Sequence, residues 1–181
     1  MHRCSWVEGK PDFYIAYHDQ VWGNPCHNDH DLFKWLLLEM FHTGLSWQLV
    51  LSKEANFRQA FDNYDYQAIS QYDVTKLEEL CDNPKIIRNR RKIESAVLNA
   101  QAFLKVQADY GSFDRFIWSF SREKVVKRQT GTLVPKRTPL SDQVTQALKK
   151  YGFKQIGSVT IYSYLQAIGV VNDHDLACDF R

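Results

Sequence analysis

The stretch Leu38-Glu39-Met40-Phe41-His42-Thr43-Gly44-Leu45-Ser46-Trp47 constrains this chain more than any other. It closes a nearly all-apolar run, Leu32 to Phe41, which predicts a buried helix capped from Asp29–Asp31. Leu32, Trp35, Leu36, Glu39 and Met40 recur at helical spacing, so Glu39 points with the apolar stripe. An unpaired carboxylate in such a place is costly. Its partner is either another part of the protein or a ligand.

The other elements read mostly as helices. Gly44 is a terminator, and Ser46 caps a helix through Leu51. Further helices are predicted at Glu54–Phe61, Tyr66–Gln71, Asp73–Cys81, Arg88–Tyr110, Ser112–Ser119, Ser141–Tyr151 and Ser158–Ile168. Strand signals are scarce: Val125-Val126 and Thr132–Val134 either pair briefly or form a loop. The prediction is a mainly α, compact helical fold of short helices. The 181 residues, 44% hydrophobic and 14% aromatic, suit one domain with a packed core. No apolar run approaches the roughly 20 residues of a membrane span. The N-terminus lacks the apolar segment of a secretory signal, so a cytoplasmic location is the expectation.

Three groups of residues carry chemistry. Cys4 and His18 lie near one end, and His174 and Cys178 near the other. Two thiols and two imidazoles would complete a closed tetrahedral zinc site, and on a helix His174 and Cys178 would share a face. Scattered thiols and ordinary histidines are the alternative, with Cys26, His27 and His30 as rival ligands.

Glu39 forms the second group with Trp6, Tyr14, Tyr17, Trp22 and Trp47, which are either core or stacking surfaces. A base flipped from a nucleic acid needs flat faces and a polar group at its edge. An ionised carboxylate accepts only, so it suits the N6 amino group of adenine and a positively charged ring. Glu39 fits equally well as a structural acid capping backbone amides.

The third group is Asn83 to Lys92, a turn followed by five cations among the eight residues from Lys85 to Lys92. It is either a phosphate-binding turn or a solvated charged helix face. Lys149, Lys150 and Lys154 form a weaker patch. A net charge of +2 is too mild to decide.

Taken together, Arg3-Cys4-Ser5-Trp6, Tyr14-Ile15-Ala16-Tyr17-His18-Asp19, Trp22-Gly23, Leu38-Glu39, Gly44-Leu45-Ser46-Trp47, Ile86-Ile87-Arg88-Asn89-Arg90, Phe116-Ile117-Trp118-Ser119-Phe120, Gly152-Phe153-Lys154 and Val171-Asn172-Asp173-His174 resemble the 3-methyladenine DNA glycosylase I family over nearly the whole length. The resemblance implies a helix-hairpin-helix DNA glycosylase fold, a single domain over 1–181, its hairpin at Asn83–Arg88. It implies one structural zinc per chain on Cys4, His18, His174 and Cys178, joining the segments 1–30 and 170–181. It implies base-excision repair: hydrolysis of the N-glycosidic bond of 3-methyladenine in double-stranded alkylated DNA by a monomer. Glu39, Tyr17 and Trp47 are then the catalytic and base-binding residues, with Trp6, Tyr14, Trp22 and His42 in the pocket. Gly44, Leu45, Lys85, Arg88, Arg90 and Arg91 would contact DNA.

Two positions depart from the family's pattern. His42 stands where a glutamine is typical, and Lys85 where glycine is common. From Arg88 to Ala108 the only acid is Glu94, too early for the catalytic aspartate of many hairpin glycosylases. Other readings are a non-catalytic binder of alkylated DNA and a zinc-dependent nucleobase hydrolase or deaminase. The latter needs His-x-Glu with Pro-Cys-x-x-Cys, and neither motif occurs.

Overall fold

The computed structural model describes residues 1–128 and 133–181. Its helices are α1 (Asp12–Gln20), α2 (Asp29–His42), α3 (Trp47–Ser52), α4 (Glu54–Ala60), α5 (Tyr66–Ile69), α6 (Val74–Asp82), α7 (Arg90–Tyr110), α8 (Phe113–Ser119), α9 (Pro139–Tyr151) and α10 (Ser158–Ala167). Two-residue strands β1 (Val126–Lys127) and β2 (Val171–Asn172) pair in parallel. The mainly helical expectation holds. Among the described residues no helix is long and apolar enough to cross a membrane.

Helix α2 is the central element. Leu32, Phe33, Leu36, Leu37, Leu38, Met40 and Phe41 are all buried, so it is enclosed on every side. It packs against α7, α8 and α10. Helix α7 meets it with Phe103, whose ring lies 5.2 Å from that of Phe33, and with Ala96 beside Leu36, Leu37 and Met40. Burying each large apolar side chain contributes about 1.5–3 kcal/mol. Truncating Leu36 to alanine would cost about 2–5 kcal/mol, through lost burial and the cavity left behind.

Caps set the helix starts, and they move several predicted boundaries. Asn28, not Asp29–Asp31, caps α2: its side chain accepts from the His30 and Asp31 amides. Ser46 caps α3 as expected, accepting from Leu49 N. Asn89 accepts from Lys92 N, so α7 begins at Arg90 and leaves Arg88 in the loop. Thr138 and Ser141 cap α9 reciprocally, and Pro139 occupies its first position, where the missing N–H is harmless.

Two elements differ from the sequence reading. Helix α1 was not expected, because Phe13, Tyr14, Ile15 and Tyr17 do not form a single apolar stripe. The strand at Val126 pairs with Val171, not with 133–134. Two-residue strands carry no alternation to read, and their partners are brought together by the whole chain. Thr132, the first residue of the other expected strand, lies outside the described residues.

The chain ends meet. His2 N donates to Asp179 Oδ2, and Asp179 N donates to His2 O, both at 2.9 Å.

Candidate active site and candidate metal centre

A cavity of about 380 Å³ opens beside α2, within the size range of small-molecule sites. Helix α1 supplies Tyr14 and Tyr17, three apart and so on one face. Helix α2 supplies Glu39 and His42, and α3 supplies Trp47 from its first position. Trp6 and Trp22 close the wall, and Ser163, Gln166, Asp173 and Asp175 line the other side. All seven residues expected to surround a base are therefore brought together.

The rings brace one another. Tyr17 lies 5.1 Å from Trp47 and 5.4 Å from Trp35, tilted in both cases. Trp6 makes edge contacts with Tyr14 at 5.6 Å and Trp22 at 5.0 Å. Trp47 Nε1 is buried with no hydrogen-bond partner among the described residues. Such a donor in a cavity wall favours a ligand that accepts.

Glu39 is 3% exposed. Its Oε2 lies 3.0 Å from His42 Nδ1. Burial pushes the Glu39 carboxyl above its ordinary range, and the hydrogen bond and charge of His42 pull it back only in part. The phenols of Tyr14 and Tyr17 are pushed up, first by burial and then by Glu39, so both stay neutral.

The loop after α2 carries Thr43, Gly44 and the half-exposed Leu45. Gly44 has φ +81°, a conformation that favours glycine. Lys85 and Arg88 lie in the 83–89 loop between α6 and α7, and Arg90 and Arg91 in the first turn of α7. The basic run is weaker than its sequence implies. Arg90 is engaged with Glu78 at 2.7 Å and Glu94 at 3.8 Å. Lys92 is buried, and its ammonium donates to the carbonyls of Phe41 and Thr43 at 2.9 and 2.7 Å. It belongs to the interior, a role the run of cations concealed.

Cys4, His18, His174 and Cys178 converge, all buried, with one ligand atom from each within 4.8 Å of the others. His174 Nδ1 lies 3.4 Å from Cys4 Sγ and 3.3 Å from Cys178 Sγ, and His18 Nε2 lies 3.6 Å from Cys178 Sγ. The outward nitrogens are occupied. His18 Nδ1 donates to Asp19 at 2.7 Å, and His174 Nε2 donates to the Trp22 carbonyl at 2.8 Å. Those partners turn His18 Nε2 and His174 Nδ1 toward the thiols, as metal-binding histidines require. Arg3 holds Asp19 below its ordinary range. Burial pushes the Cys4 thiol up to about 12, the opposite of what a bound cation would do. The donor set fits a closed tetrahedral zinc site.

His174 and Cys178 do not reach this centre along a helix. They sit in a turn closed by Cys178 N donating to Asp175 O at 2.9 Å. Gly23 allows the approach: a Cβ there would meet the His174 ring at 2.8 Å, and φ is +77°. The rival histidines are engaged elsewhere. His27 pairs with Asp114 and stacks on Trp118, and His30 bonds the Asn63 carbonyl.

Comparison with known proteins agrees with this geometry. A methyladenine glycosylase family model matches residues 6–181. DNA-3-methyladenine glycosylase 1 of Escherichia coli K12 is 40% identical over 180 residues, covering 98% of this chain and 96% of that protein. DNA-3-methyladenine glycosylase of Haemophilus influenzae Rd is 38% identical, covering 95% and 94%. A solved structure of 3-methyladenine DNA glycosylase I in complex with 3-methyladenine superposes with a TM-score of 0.94 at 34% identity, covering 99% of this chain and 97% of the other. One from Staphylococcus aureus gives 0.92 at 34%, covering 99% and 96%. The chain belongs to the methyladenine glycosylase family.

Proposed function

We propose that this chain excises 3-methyladenine from alkylated double-stranded DNA by hydrolysing its N-glycosidic bond, as a monofunctional base-excision repair glycosylase. One observation carries the reading: a buried carboxylate, Glu39, on the wall of an aromatic cavity of base size.

In this reading the lesion leaves the duplex and enters between the aromatic rings. Glu39 accepts from the exocyclic N6 amino group and balances the positive ring. Tyr17 and Trp47 stack against the base, and Trp6, Tyr14, Trp22 and His42 complete the pocket. The alkylated purine is a cation, so its bond to C1′ is already weakened. That bond breaks with its electron pair passing to the base, which departs neutral. Water then adds to the oxocarbenium-like sugar and sheds a proton. The protein's contribution is extrusion, stacking and electrostatic fit. Glu94 plays no part in this: it is exposed and pairs with Arg90.

Gly44 and Leu45 press into the stack where the base leaves. Helix α6, the 83–89 loop and α7 act as the helix-hairpin-helix element. There Lys85, Arg88 and Arg91 face the phosphates, with Arg90 sharing its charge with Glu78. Cys4, His18, His174 and Cys178 would hold one structural zinc, whose chemistry is to fasten segments 1–30 and 170–181 into the single domain. With four protein ligands it leaves no position for water, which disfavours a zinc deaminase. A monomer in the reducing cytoplasm suits two thiolate ligands.

The test is release of free 3-methyladenine from methylated duplex DNA, with enzyme far below substrate. More than one base released per chain supports the reading. Stoichiometric binding without release would leave a binder of alkylated DNA.

A further inference from the structure

Two lysines run in opposite directions between the segment that carries Leu45 and the 83–89 loop. Lys92, near the start of α7, donates to the Phe41 and Thr43 carbonyls, which precede Leu45 in the chain. Lys53, just past the end of α3, donates from Nζ to the Lys85 carbonyl at 3.0 Å. Leu45 lies between these two fastenings, directly before Ser46, the cap of α3. At about 1.5 Å per residue, α3 sets Lys53 about 9 Å along its axis from Trp47. The backbone of Lys53 is itself fixed. Its N–H donates to the Val50 carbonyl at 3.0 Å, and its carbonyl accepts from Phe57 N at 2.9 Å, so it joins α3 to α4. The adjacent acid, Glu54, is paired with Lys34 at 3.1 Å and Arg58 at 2.8 Å, and the Lys53 ammonium turns to the loop carbonyl instead.

On the α4 side the loop borders a hollow. A cavity of about 250 Å³ lies there, lined by Asn56, Gln59 and Ala60 of α4, Glu79 of α6, and Asn83 and Lys85. Within the loop, Asn83 Oδ1 accepts from Lys85 N at 3.0 Å, a bond that shapes the loop without fastening it to a neighbour. Among the described residues, the Lys53–Lys85 bond is the one hydrogen bond that joins the 83–89 loop to α3 or α4. We propose that Lys53 is a positioning residue for the duplex: its ammonium holds the 83–89 loop at a fixed distance from Leu45, so that one DNA molecule meets both at once. This rests on the glycosylase reading above and on its placement of Leu45 in the stack and the loop on the phosphates. A loop already held has little left to order on binding. The second of two linked contacts also forms at an effective concentration set by how stiffly it is joined to the first. Lys53 supplies that stiffness from within the protein and touches no phosphate itself.

The test compares the native protein with Lys53→Met, which keeps the stem and removes the donors, and Lys53→Arg, which keeps charge and donors. Affinity for duplex DNA carrying a tetrahydrofuran abasic site is measured by fluorescence anisotropy over a salt series, beside single-turnover excision of 3-methyladenine. Lys53→Met should bind about three- to tenfold more weakly, the net contribution of one hydrogen bond. Its excision should need correspondingly more enzyme for half-maximal rate and reach the native rate at saturation. The slope of log affinity against log salt should stay the same, because the cations of the loop still reach the phosphates. A direct phosphate contact by Lys53 would instead lower that slope by about 0.9. In Leu45→Ala the loss caused by Lys53→Met should shrink below about twofold, since the loop is no longer held against an inserted side chain. A merely structural lysine would cause the full loss in both backgrounds. Lys53→Arg should stay within about twofold of native. Native affinity in Lys53→Met, a slope lower by about 0.9 or losses that add fully with Leu45→Ala would each overturn the proposal. Free base released by the native protein would uphold the glycosylase reading in that case. Binding of the abasic duplex with no base release would remove that reading, while the affinities would still decide the role of Lys53.

Discussion

The ammonium of Lys92 lies 2.7 Å from the carbonyl oxygen of Thr43, the residue that ends α2 and opens the loop to Leu45. A second bond from the same ammonium, to Phe41, ties the start of α7 to the same helix end. The carbonyls at a helix C-terminus lack intrahelical partners and carry partial negative charge, so a cation there satisfies both needs. Lys92→Met keeps the aliphatic stem and removes the donors. It should destabilise the fold by about 1–3 kcal/mol, because two carbonyls lose a charged partner. Chemical denaturation measures this. An unchanged midpoint would mean that water replaces the ammonium at no cost.

Glu39→Gln should lose about 10- to 100-fold in excision, the worth of one hydrogen bond to a charged partner. It should also be more stable than the native protein at neutral pH. Burial raises the folded-state pKa of Glu39 above its unfolded value. Folding therefore takes up a proton, and this contribution to stability is present at low pH and lost as pH rises through the folded pKa. Gln does not titrate, so its advantage should appear at neutral pH as a few degrees of melting temperature and close on acidification. Native excision by the variant would remove Glu39 from the mechanism.

Cys178→Ser should lower the melting temperature and the metal content together. Excision per correctly folded molecule should change little, because none of the four converging side chains lines the cavity. Metal analysis of the native protein should find one zinc per chain. Gly23→Ala should act in the same direction, since its Cβ would collide with the His174 ring. A native protein without zinc would refute the proposed metal.

Leu45→Ala should reduce excision from duplex DNA roughly tenfold, in line with the burial of one leucine side chain. Leu45 is 36% exposed, so folding stability should be almost unaffected. Binding of free 3-methyladenine should also be unaffected, because no base has to be extruded. An equal loss in both assays would place Leu45 in the pocket instead of the stack.

Local chemistry was readable along the chain where residues act through near neighbours. The apolar run of α2 fixed its burial and the inward direction of Glu39, and Ser46 and Gly44 marked the turn into α3. Helix α1 escaped notice although it carries Tyr14, Tyr17 and His18. Tyr14 and Tyr17 turn to the cavity, His18 to the Cys/His cluster and Phe13 to solvent, so no single apolar stripe repeats with helical period. Lys92 looked like one more surface cation, and only the end of α2 meeting α7 gave it an interior role.

From the sequence alone came the helical class, the buried acid and the identity of the four metal-binding candidates. Tertiary structure decided the rest: that His42 meets Glu39, that Lys92 is withdrawn from the basic face, and that His174 and Cys178 reach Cys4 and His18 through a turn. Helical period and capping depend on residues a few positions apart, and sequence displays them directly. A hydrogen bond between side chains, or a contact across 170 residues such as Cys4 to His174, depends on how rigid elements pack, which no local pattern specifies.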